Sequence, residues 1–237
     1  MIQVPSPPRR VLLGMGAPDD IRLTIAAAVE FAAAVRSELL CLLVEQENLI
    51  NAAGLPFARA YGFGGIAAPF TLQSVQDHFD GMAREAGKAL AEACTHANVA
   101  WQMLRPQGEI MRELSGAVQP GDILVVDAKE LRQSAFGLIG ALRLLLDKAE
   151  AVVLPSAAAQ SPGPVVAVGG DHAVAIASSV AEFLNRRLEI IDLAQLQQAR
   201  HRASVVVAPV EAVAALGEDE WLHRMRALRA NAVIVAS

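Results

Sequence analysis

The most constraining feature of the chain is a repeated alternation of short, wholly apolar runs with longer segments of helical period. Val11-Leu12-Leu13-Gly14-Met15, Leu39-Leu40-Cys41-Leu42-Leu43-Val44, Ile123-Leu124-Val125-Val126 (after Asp122) and Ala151-Val152-Val153-Leu154 are of strand length and lack polar alternation. Strands apolar on both sides must be covered on both faces, and helices between them supply the cover. Ile21, Ile25, Ala28, Val29, Ala32 and Val35 recur at helical spacing, and so do Leu72, Val75, Phe79, Met82, Ala86, Leu90 and Ala93. With Ala100–Leu104 as a further strand and helices over 109–118 and 137–147, the order is β-α-β-(excursion)-α-β-α-β-α-β. This predicts an α/β fold, an open parallel twisted sheet with helices on both faces.

The pattern then starts again. Residues 156–164, Ser-Ala-Ala-Ala-Gln-Ser-Pro-Gly-Pro, have linker composition. Pro164-Val165-Val166-Ala167-Val168-Gly169-Gly170-Asp171 repeats the opening strand and turn in kind and order. A helix with Ile176, Ala177, Val180, Phe183 and Leu184 inward follows, then strands at 188–193 and 204–208. A helix over 218–230 with Trp221, Met225 and Leu228 inward precedes a last strand at 232–235. The expected organisation is a complete α/β domain over 1–156, a linker over 157–163 and a shortened second unit over 164–237. Its sheet is expected to continue or pack against the first, since so few elements alone make a thin core.

Charge and cysteine usage exclude several classes. The formal net charge is −5, from 20 basic and 25 acidic side chains, and both units are mildly acidic. Neither offers the basic footprint of a nucleic-acid binder. The apolar runs are far short of a membrane span, and the Pro-rich start has no signal-peptide core. These readings predict a cytoplasmic chain with no nucleic-acid and no membrane partner. Cys41 and Cys94 lie in apolar surroundings and read as buried, inert thiols. The five histidines show no metal-ligand spacing, and no nucleophile signature occurs. No catalytic or metal residue is therefore assigned.

The opening strand and helix, Val44-Glu45-Gln46-Glu47-Asn48-Leu49 and Ala53-Gly54-Leu55-Pro56-Phe57-Ala58-Arg59 together resemble the proteobacterial universal stress proteins. The likeness runs in order over residues 9–156 and more weakly over 164–237, as in a tandem member with a truncated second copy. It implies a stress-related regulatory or protective protein, and dimerisation through the last strands. An internal second copy can instead satisfy that contact within one chain. ATP-binding members carry an aspartate after strand one and G-x-x-G-x9-G-[S/T] after strand four, where glycines and a helix N-terminus receive phosphates.

Carried over by position, the implied site comprises Gly14, Gly16, Val44, Asp127, Glu130, Gly140 and Ala141. Here Gly16 replaces the aspartate, Asp127 and Glu130 replace two glycines, and Ala141 replaces the hydroxyl residue. Two carboxylates repel a triphosphate rather than hold it. The expectation is a degenerate ATP site, no cofactor, and action through assembly and an unnamed protein partner. The alternative is a nucleotide-sensing switch, in a shifted pose or at the Gly169-Gly170 turn. That turn reads more simply as a strand-to-helix connection capped by Asp171. The excursion over 46–70, with its Tyr61–Gly65 cluster, reads as a lid, a partner surface or an ordered connection.

Overall fold

The structure, a computed structural model, describes residues 10–16, 21–61, 67–156, 163–199 and 202–236. Residues 17–20, most of the Tyr61–Gly65 cluster and most of the linker lie outside them. The first half runs β1 (Val11–Met15), α1 (Ile21–Ala34), β2 (Leu39–Leu43), β3 (Glu45–Gln46), α2 (Glu47–Ala53), β4 (Arg59–Tyr61), β5 (Ala67–Pro69), α3 (Leu72–Ala97), β6 (Trp101–Leu104) and β7 (Gln107–Gly108). It continues through α4 (Ile110–Ala117), β8 (Ile123–Val126), α5 (Ala128–Gln133), α6 (Gly137–Leu146) and β9 (Ala151–Leu154). The second half comprises β10 (Val165–Val168), α7 (Asp171–Phe183), β11 (Leu188–Ile191), α8 (Leu193–Gln198), β12 (Val205–Pro209), α9 (Val210–Leu216), α10 (Glu218–Leu228) and β13 (Asn231–Val235).

Nine strands form one open sheet in the order β11-β10-β12-β13-β9-β8-β1-β2-β6. Within this sheet every pairing inside each half is parallel, while β3–β7 (parallel) and β4–β5 (antiparallel) form two small separate ladders. The halves meet at an antiparallel joint, β13 on β9, with Ala232 opposite Leu154 and Val235 opposite Ala151. The chain is thus a mixed α/β protein with a large, mostly parallel sheet flanked by helices. The second sheet continues the first rather than packing on it.

The alternation of side chains along each strand divides the core between two faces. Leu12, Leu124, Val126, Val152, Val206 and Ile234 meet Leu114, Leu142, Trp221 and Met225 on one face. Leu13, Cys41, Val125, Val153 and Val207 meet Ile25, Ala28, Leu90 and Ala177 on the other. Gly14 illustrates how tightly α4 lies on β1: a Cβ there would sit 2.5 Å from Leu114 Cδ2. At the opposite end of β1, Arg10 Nε donates to the fully buried Asp122 carboxylate at 3.0 Å and its other guanidinium nitrogen donates to the Ala117 carbonyl.

Two expectations change here, and one strand stands apart from the rest. α7 buries Ala173, Ala177 and Ala181 at intervals of four, while Phe183 stays 45% exposed. Small residues let the helix sit close to β10, so the bulky ones are pushed to its flanks. β11 is half-exposed, with Ile190 61% exposed, because it is an edge strand. Two short helices, α5 and α9, occupy stretches that the periodicity leaves unassigned.

Cys41 on β2 is buried, and that burial, helped slightly by the neighbouring Cys94 thiol, pushes its pKa up from 9.0 to about 12. The folded state therefore keeps a proton that the unfolded chain loses near pH 9. Its contribution to stability is complete below pH 9 and disappears as pH rises towards 12. Urea midpoints measured across that range are expected to fall more steeply for the native chain than for Cys41→Ala. Identical slopes would show that Cys41 is not the group responsible.

Candidate functional site

The first half-sheet changes strand direction of growth between β1 and β8, since β2 and β6 extend one side and β9 the other. Ligands of open α/β sheets lie outside the carboxyl ends of strands at such a point. Gly16 follows β1 there, and Asp127 follows β8. Both expected carboxylates have structural partners. The Asp127 side chain caps α5 by accepting the Lys129 amide at 2.8 Å. Glu130, one turn along and 9% exposed, accepts the Gly16 amide on Oε1 at 2.7 Å.

The donor that faces the crevice is thus taken by the chain's own carboxylate. A Cβ on Gly16 would meet Ile110, Gln46 and Glu130 at 3.2 to 3.4 Å, so the space around that amide is filled from three sides. A phosphate approaching Gly16 would have to displace a charge-assisted hydrogen bond and bring anion to anion.

The remaining positions carried over by resemblance are dispersed. Gly14 lies within β1 and serves packing against Leu114. Val44 is fully buried and its amide donates to the Met15 carbonyl at 2.7 Å, extending the β1–β2 ladder. Gly140 lies inside the first turn of α6, and Ala141 is buried in the core. The helix start is instead Gly137, whose φ of +63° favours a residue without Cβ.

This second helix N-terminus is also occupied. Glu218, from the first turn of α10, accepts the Ile139 amide at 3.0 Å. Arg132 of α5 binds Asp219 at 3.0 Å and reaches Glu218 at 4.0 Å. Arg143 of α6 pairs with Glu211 of α9 at 2.9 Å. Within the acidic first turn of α10, Glu218-Asp219-Glu220, Glu218 supplies a cap to a helix of the first half. Nothing in the local sequence marks that role, because it requires α10 to lie beside α6.

Gly169 and Gly170 do not join this site. They follow β10 with φ of +63° and +48°, and a Cβ on either would meet nothing within 4 Å. The cap position of α7 is Gly170, without a side-chain hydrogen bond, and Asp171 is the first helical residue. The expected Asp171 cap is therefore corrected: its carboxylate sits in the first turn, where it favours the helix dipole without closing the end. Among the described residues no group of three or more His, Cys, Asp or Glu is placed to hold a metal ion. No described helix is long and apolar enough to cross a membrane.

No protein-family model matches the chain, and no curated protein matches it. Among solved structures it is similar to a universal stress protein from Archaeoglobus fulgidus DSM 4304, with a TM-score of 0.55 and 10% sequence identity. The likeness covers 95% of this chain and 96% of that one. It shows the fold, over both halves together.

The two carboxylates of α5 differ in what they hold. Glu130→Ala is expected to lose about 2 kcal/mol, since a buried amide is left without its charged acceptor. Asp127→Ala should lose about 1 kcal/mol, as for an exposed helix cap. Chemical denaturation of the two variants tests this ranking, and a reversed order would place the principal contact at Asp127.

Proposed function

We propose that this chain is a regulatory or protective protein of the universal stress protein type, a tandem form with a shortened second copy. In this reading it acts in the cytoplasm through intrachain assembly of its two units and contacts with a protein partner, without catalysis and without ATP as a resident ligand. The observation that carries the reading is the Glu130 carboxylate on the Gly16 amide. Glu218 on the Ile139 amide supports it from the second helix N-terminus. The backbone donors that would receive an anion are held by internal anions that cost no ligand entropy.

Calorimetric titration of the whole protein with ATP and Mg²⁺ is expected to give no saturable heat at micromolar concentrations. Micromolar binding would overturn the proposal and favour a nucleotide-sensing switch. The feature favouring that second reading is the open, uncapped Gly169-Gly170 turn before α7. The same titration on Gly169→Asp then assigns the signal: its loss places the nucleotide at this turn, and its persistence places it elsewhere.

Assembly follows from the sheet. The last strand of the first unit, the edge the resemblance implicates in dimerisation, is covered by β13 of the same chain. The protein is therefore expected to be monomeric at micromolar concentration by sedimentation. A stable dimer would require another surface and would overturn the view that the second unit replaces a partner chain.

A further inference from the structure

We draw no further inference here: the strongest candidate, the open sheet edge at β11 with the exposed Ile190 and the exposed Phe183 of the neighbouring α7, is an unpartnered apolar edge, and nothing in the structure shows what covers it.

Discussion

The antiparallel pairing of β13 with β9 is the contact on which the rest of the molecule depends. Each half of the sheet is parallel and grows from its own first strand, but the two run in opposite directions and share one edge. Joining them covers two edge strands at once, which removes the unpaired amides that invite association. It also makes a second unit of few elements viable, since its core becomes continuous with that of the first. Trp221, Met225 and Val213 belong to the same apolar cluster as Leu124, Leu142 and Val152.

That joint places α9 and α10 beside α6, and the polar chemistry follows. Arg143–Glu211, Arg132–Asp219 and the Glu218 cap on Ile139 all cross between the halves. Exposed pairs such as the first two contribute little individually. The cap is different, because it satisfies an orphan helix amide with a charged acceptor. Together with Glu130 on Gly16, it leaves internal carboxylates where an α/β protein of this fold can receive an external anion. Negative charge stands at both amides, and the chain's own carboxylates supply it.

Much of the frame is legible in the sequence. Runs such as Val11–Met15 and Ala151–Leu154 have no polar face to mark, so they announce strands buried on both sides. The long helix from Leu72 carries a sustained apolar stripe and ends at Ala97. The short helices α5 and α9 are not legible, since one or two turns contain too few residues to establish a period. The inward face of α7 is misread for a related reason. Bulk suggests Phe183, whereas close approach to the sheet selects Ala173, Ala177 and Ala181.

The sequence by itself determined the class of fold, the restart of the pattern at Pro164 and the presence of two carboxylates, Asp127 and Glu130, directly after a buried strand. Those properties rest on local periodicity and residue identity, which neighbours in space do not alter. Tertiary structure alone decided what the two carboxylates do. Asp127 and Glu130 are equivalent as sequence, yet one caps a short helix and the other turns inward to Gly16, 114 positions away in the chain. Glu218 reaches Ile139 only because two sheet edges pair. Nothing in the local sequence marks either contact, since hydrogen bonds and charge act across a few ångströms of space and not along the chain.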